Sequence, residues 1–425
     1  MRTRLIANLN WLLLDNIFRL VGGVLVGIWI ARYLGVEQYG LLSYVLAFVS
    51  LFGAVAKLGF DRVVVRDLVR QPDKAGEILG TIFWLKLAAG IVAFSFSIAI
   101  AWYTKSGDTQ FVFLVAVIAV GMLFNAADSY DIYYQVHLKS KRVVVPRSIA
   151  FLIFTAYKCA LIIGEFPIEY IAAAYGLELA FGGLLVAWNY YCDRGVDKMP
   201  WRFDKTVCLS LLKDGWPLIL TSALVMLHTR VDQIMIGNML DAAAVGLFSV
   251  AVRLSEIWLF VPMLLVQSVT PHLLRIREGN EARYHARMIQ LYSIMFWSGI
   301  FVAVLATLYG EHLIVLLFGE EYRSAFIPLA WIIWAGVFKS QGVAASIWMV
   351  GENTQKYRLI INLIAVAMNI ALNLILIPEY GMLGAAVASL LSMGISTWII
   401  PLFFASMRQM NLDILRSINP KRLFI

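Results

Sequence analysis

WLLLDNIFRLVGGVLVGIWIA, residues 11–31, is an apolar run interrupted only by Asp15, Asn16 and Arg19. A helix needs about 20 apolar residues to cross roughly 30 Å of hydrocarbon, so this stretch reads as a membrane span. Arg2 and Arg4 precede it, and no small-residue cleavage site follows a short apolar core. It is therefore expected to be a retained first helix and not a secretory signal.

Runs of the same kind recur along the chain. They fall near 10–31, 40–60, 79–102, 110–135, 147–164 and 168–190, then near 216–237, 244–270, 288–309, 325–350, 358–378 and 381–405. These are spans 1 to 12 below. The expected fold class is an all-α polytopic membrane protein with about 12 transmembrane helices in two six-helix lobes. The expected division is a first lobe over 1–191, an inter-lobe linker over 192–215, a second lobe over 216–405 and a tail over 406–425. Within the linker, Val207, Leu209, Leu211 and Leu212 mix with Lys205 and Lys213, a pattern suited to lying at the membrane surface.

Composition agrees. Of 425 residues, 61% are hydrophobic and 15% charged, and mean hydropathy is +0.79. A soluble domain carries about 25% charged residues, enough for a polar shell that this chain lacks. The net charge of +8 does not mark a nucleic-acid binder, because the basic residues sit in short segments between apolar runs.

Those segments set an orientation. With the N-terminus placed inside, most of the 35 Lys and Arg fall in inward-facing segments, including Arg194, Lys198 and Lys356. Arg32, Lys105 and Arg323 alone fall outside, so both termini are expected to be cytoplasmic. The outward loops are short, which leaves no room for an extramembrane catalytic domain.

The halves repeat weakly. Ile30-Ala-Arg-Tyr-Leu-Gly35 leading to Gly40-Leu-Leu-Ser43 corresponds to Ile236-Gly-Asn-Met-Leu-Asp241 leading to Gly246-Leu-Phe-Ser249. Both halves start on the same side, so the repeat is parallel and implies two lobes with a central cavity.

Charges inside spans are costly and usually face a partner or a wet cavity. Asp15 and Arg19 are one turn apart on span 1 and can pair, and Arg253 and Glu256 offer a similar spacing on span 8. Arg230 and Asp232 on span 7 point to different faces and each needs a partner elsewhere. Lys158 on span 5, Glu178 on span 6 and Lys339 on span 10 have no local mate; they could pair across helices or line a cavity. Lys57 and Lys86 lie near cytoplasmic ends and are expected to snorkel.

An anion pathway needs fixed positive charge, and the planar fork of arginine suits phosphate. Arg19 and Arg253 are the leading candidates for substrate contact, followed by Arg230, Lys158 and Lys339. Asp15, Glu178, Asp232 and Glu256 are candidates for ion coupling or charge pairing.

Other features read as structural. Gly23 and Gly27 permit close packing on span 1. Pro262, Pro328 and Pro401 are expected to bend spans 8, 10 and 12. Asn362, Asn369 and Asn373 share one stripe of span 11, suited to interhelical hydrogen bonds or to sugar contact. Cys159, Cys192 and Cys208 lack metal or redox spacing, and no pair among the five histidines has metal-ligand spacing. No catalytic constellation, cofactor motif or phosphate-binding GxxxxGK[ST] loop is present.

Three blocks carry a family resemblance. Ile30-Ala-Arg-Tyr-Leu-Gly-Val-Glu-Gln-Tyr-Gly-Leu41 resembles the first hairpin of Wzx-type polysaccharide-repeat flippases, of the multidrug/oligosaccharidyl-lipid/polysaccharide (MOP) exporter superfamily. Asp232-Gln-Ile-Met-Ile-Gly237 with Val245-Gly-Leu-Phe-Ser-Val-Ala-Val-Arg-Leu-Ser-Glu256 is similar to the hairpin of spans 7 and 8. Asn373-Leu-Ile-Leu-Ile-Pro-Glu-Tyr-Gly-Met-Leu-Gly-Ala-Ala-Val-Ala-Ser389 resembles the turn between spans 11 and 12. The resemblance implies a V-shaped two-lobed bundle working by alternating access. It implies an undecaprenyl-diphosphate-linked oligosaccharide as substrate, with polysaccharide polymerase as a candidate partner. Lipid II flippases of the superfamily place cavity arginines on spans 1, 2 and 8; Arg19 and Arg253 sit comparably, whereas span 2 carries only Lys57, near its cytoplasmic end.

Two rivals are weighed. A cation-coupled multidrug exporter would favour an acidic, aromatic cavity, but the deep charges here lean slightly positive. A membrane polymerase or ligase would need a large external loop, and none is present.

Overall fold

The computed structural model describes residues 2–105, 107–193, 200–352 and 354–424, with the side chains of 2–14, 16, 355, 356 and 424 left aside. Arg194 and Lys198, and the side chains of Arg2, Arg4 and Lys356, thus lie outside what is described. Among the described residues the chain is helical and contains no strand.

Among the described residues, eleven helical segments are long and apolar enough to cross a membrane. The first is two crossings: α1 (Arg2–Ala56) turns at Gly35, where φ is 70° and ψ 175°. Only glycine adopts that left-handed backbone without strain, so Gly35 separates spans 1 and 2 inside one continuous helical run. Among the described residues the membrane-capable helices therefore number eleven to twelve, depending on whether the run is divided at Gly35.

After α2 (Asp61–Arg70) comes α3 (Ala75–Thr104), which is span 3. On α2, Val63, Val64 and Leu68 are buried while Arg62, Arg66 and Arg70 face out, an amphipathic surface helix. Span 4 changes character midway: α4 (Thr109–Ala119) tightens into a 3₁₀ stretch over Val120–Ala127 before α5 (Asp128–Val136). Spans 5 and 6 are α6 (Lys141–Ile163) and α7 (Ile168–Cys192).

Span 7 is the second part of α8 (Lys205–Met239), which begins inside the segment expected as a linker. Ahead of it, Trp201 stacks on Tyr130 at 4.6 Å, and Arg202 N–H donates to the Gly76 carbonyl at 3.2 Å. This stretch is therefore docked on the start of α3.

Span 8 is broken into α9 (Ala242–Ile257) and α10 (Phe260–Gly279). Pro262 has no N–H for the Trp258 carbonyl, which accepts instead from Val261 N–H at 3.1 Å. Spans 9, 10 and 11 are α11 (Glu281–Phe318), α12 (Phe326–Gly351) and α13 (Gln355–Tyr380). Pro328 falls in the first turn of α12, where its missing N–H costs nothing, so it does not kink the helix as expected. Span 12 starts as α14 (Met382–Gly394), widens to a π turn over Ile395–Ile399 and tightens to 3₁₀ at Pro401. Asn411, on the tail helix α15 (Arg408–Arg416), donates to the Trp398 carbonyl at 2.7 Å.

Contacts group the chain into two compact units: Met1–Leu34 with Leu41–Met226, and Gly35–Gly40 with Leu227–Ile425. In the second unit the repeated glycines meet backbone to backbone. A Cβ at Gly40 would strike the Ala242 carbonyl, and one at Gly246 the Val36 carbonyl.

Candidate functional site

The charged residues singled out from the sequence fall into separate clusters. In the first unit, the Asp15 carboxylate accepts from Arg19 Nε at 2.9 Å, and Ser148 Oγ of α6 donates to it at 2.7 Å. Arg19 also lies over the Phe151 ring, 5.4 Å from its centroid. Its Nη2 is buried with no hydrogen-bond partner among the described residues. The expected Asp15–Arg19 pair thus forms, yet one edge of the guanidinium fork finds no acceptor among the described residues.

Lys158 and Glu178 do pair across helices. Nζ donates to Oε2 at 2.7 Å and sits 3.9 Å above the Tyr175 ring. Both neighbours stabilise the ammonium, so the expected pairing across helices forms between α6 and α7.

The first unit also holds a network that sequence reasoning missed. Lys86 is wholly buried, 2.8 Å from Asp61 and 3.8 Å from Asp128. Arg147 bridges Asp128 at 2.6 Å and Asp131 at 2.5 Å. The expectation that Lys86 snorkels to water is therefore wrong, since its ammonium turns into the protein toward carboxylates. Lys57 is exposed, as expected. The missed signal was the pair Asp128 and Asp131 within the fourth apolar run.

In the second unit, Asp232 is buried and solvated by neutral groups. Asn373 Nδ2 donates to Oδ1 at 2.7 Å, and Ser389 Oγ donates to Oδ2. Asn369 Oδ1 accepts from Asn373 Nδ2 at 3.3 Å. Helices α8, α13 and α14 thus supply one carboxylate, two amides and a hydroxyl. These are hard oxygen donors with a single negative charge among them, a set suited to a proton or small monovalent cation.

Asp232 and Ser389 also line a small cavity with His228, Ser255, Glu256 and Lys339. Among the described residues no cluster of three or more His, Cys, Asp or Glu side chains could hold a metal ion.

The expected Arg253–Glu256 pair does not form. Arg253 Nη1 reaches Tyr39 Oη at 3.4 Å, whereas Glu256 faces the cavity shared with Lys339. Arg230 and Asp232 separate onto different faces as expected: Arg230 Nη1 donates to Gln233 Oε1 at 3.4 Å. Of the asparagine stripe, Asn369 and Asn373 join the Asp232 cluster, while Asn362 has a buried Nδ2 without a hydrogen-bond partner among the described residues.

Known proteins place this architecture. A probable flippase, AglR of Haloferax volcanii, is 26% identical over 177 residues, which is 40% of this chain and 36% of that protein. The capsular polysaccharide biosynthesis protein CapF of Staphylococcus aureus is 25% identical over 177 residues, 41% of this chain and 45% of that protein. The match thus spans less than half of either relative.

Two solved structures share the fold along nearly the whole chain. One is a multidrug resistance MATE transporter of the MOP superfamily, inward-facing, with a TM-score of 0.73 at 14% identity and 95% of each chain covered. The other is the lipid II flippase MurJ in an inward closed conformation, with a TM-score of 0.69 at 16% identity, covering 97% of this chain and 98% of that one. The polysaccharide biosynthesis protein family matches residues 5–277, well over half of the sequence, and the chain belongs to that family.

Proposed function

We propose that this protein is a flippase for a lipid-linked glycan, carrying an undecaprenyl-diphosphate-linked oligosaccharide from the cytoplasmic to the periplasmic leaflet of a bacterial inner membrane. The diphosphate and hydrated glycan cannot cross hydrocarbon unaided, whereas the polyprenyl tail can remain in lipid. Only the head group needs a polar, cationic path, and alternating access by the two units would open that path to one side at a time. Both termini would then be cytoplasmic, in line with the Lys and Arg bias of the loops. A polysaccharide polymerase would be the natural recipient of the product.

The observation that carries this reading is Arg19. Its Nε is engaged by Asp15, but a buried N–H edge of the fork has no protein acceptor among the described residues. An anionic oxygen would satisfy it. Arg253, whose Nη1 donates to the Tyr39 hydroxyl at 3.4 Å, is the second phosphate contact in this proposal. The Asp232 cluster would serve coupling, through a proton or a monovalent ion.

One observation favours a drug exporter instead: Asp232 and Glu256 line the same cavity, and a lipophilic cation could use them. Native mass spectrometry separates the two. The purified protein is offered an undecaprenyl-diphosphate glycan and a lipophilic cationic drug, alongside Arg19→Glu and Arg253→Glu. Retention of the glycolipid, weakened at least tenfold by either reversal, is expected. Retention of the drug alone would replace the flippase reading.

A further inference from the structure

At one end of α6 and α7 a groove of about 610 Å³ opens within the first unit. We propose that it binds one anionic phospholipid, with the headgroup at Lys141 and Arg142 and an acyl chain along Ile149, Leu185 and Trp188. The inference rests on the membrane-spanning fold and is independent of what the protein transports.

The groove is built by local sequence. Pro146 lies inside α6 and has no N–H, so the Arg142 carbonyl one turn earlier loses its intrahelical donor. Asn189 of α7 replaces it, donating from Nδ2 at 2.6 Å. Farther along, Ala150 approaches Gly182, so the two helices are close there and the space between them lies toward Lys141. Its walls are Val145, Pro146, Ile149, Leu185 and Trp188. Trp188 is 71% exposed, and Ile149 and Leu184 are also open to the surroundings. In a membrane protein such surface contacts hydrocarbon, and exposed tryptophan belongs at the boundary with the headgroups.

The rim supplies the selectivity. Lys141 and Arg142 line the groove, and Arg142 also engages Asp193 at 3.3 Å. Among the described residues that line the groove, the two charged ones are both basic. A topological bias alone would account for basic residues at this boundary, but not for their standing over a ligand-sized groove with an apolar floor. Basic pockets between helices on the cytoplasmic side are matched to phosphate headgroups, each basic residue contributing roughly fivefold in affinity. An acyl chain in the groove adds to this by removing apolar surface from water and mobile lipid.

The test uses the full-length protein in native mass spectrometry, titrated with phosphatidylglycerol or with phosphatidylcholine of the same chains. One phosphatidylglycerol should be retained in preference to phosphatidylcholine. Lys141→Ala should weaken it about fivefold. Ile149→Trp, which fills the groove and leaves the charges intact, should abolish the discrete adduct while the protein stays monodisperse. Equal retention of the two lipids would overturn the proposal, as would retention unchanged in both variants. Displacement of the lipid by millimolar inorganic phosphate would show a free-phosphate site instead. Displacement by the diphosphate glycolipid would make the groove part of the transport route, which also overturns it.

Discussion

The two units hold acids in opposite ways. In the first, the partly buried Asp128 and Asp131 and the half-exposed Asp61 are answered by Lys86 and Arg147, ion against ion. In the second, Asp232 is answered by Asn373 and Ser389, dipole against ion. Buried ion pairs are hard to alter one member at a time, because the survivor is left charged in a low-dielectric interior. A carboxylate held by hydroxyl and amide dipoles keeps its shape whether it is charged, protonated or joined by a cation. The first arrangement is suited to fixing helices α3, α5 and α6, and the second to a site that changes occupancy during turnover.

The contrast can be broken by substitution. Arg147→Ala strands Asp131, leaves Asp128 with Lys86 alone, and should cost about 3–5 kcal/mol, read as a lowered thermal midpoint in detergent. Adding Asp128→Asn and Asp131→Asn should recover most of that loss; failure to recover would show that Arg147 acts through packing alone. Ser389→Ala removes one donor from a buried carboxylate and should cost about 1.5–3 kcal/mol. Asp232→Asn should change stability by only about 1 kcal/mol, since the isostere retains neutral hydrogen bonds. It should nonetheless abolish turnover in a transport assay. If Asp232→Asn instead destabilised the protein as much as Arg147→Ala, the two clusters would be the same kind of device.

Much of the fold was legible because a bilayer imposes a length. Runs of about 20 apolar residues mark the crossings whatever packs against them, and the Gly35 and Pro262 interruptions lie at residues whose backbone limits are intrinsic. The site was less legible. Asp128 and Asp131 were absorbed into an apolar run, and nothing local announced that the helix tightens to 3₁₀ just before them. Lys86 was misjudged because distance from a helix end says nothing about which way a side chain turns. The Asp232 cluster joins residues 141 and 157 positions apart, on helices whose adjacency is a product of the fold. Asp15–Arg19 was readable because one helical turn is a fixed geometry. Arg253–Glu256 had a similar spacing and did not pair; Arg253 reaches the Tyr39 hydroxyl instead, a residue 214 positions away that no local spacing could indicate.

Transport itself is the most direct test of the account. Purified protein would be reconstituted into vesicles holding a fluorescent undecaprenyl-diphosphate oligosaccharide, and head groups reaching the opposite leaflet would be counted by their accessibility to an impermeant quencher. The account predicts movement that depends on wild-type protein and falls at least tenfold in Arg19→Glu and in Arg253→Glu, with both variants folded. Movement unchanged in both variants, or none with wild type while a lipophilic cation is transported, would contradict it.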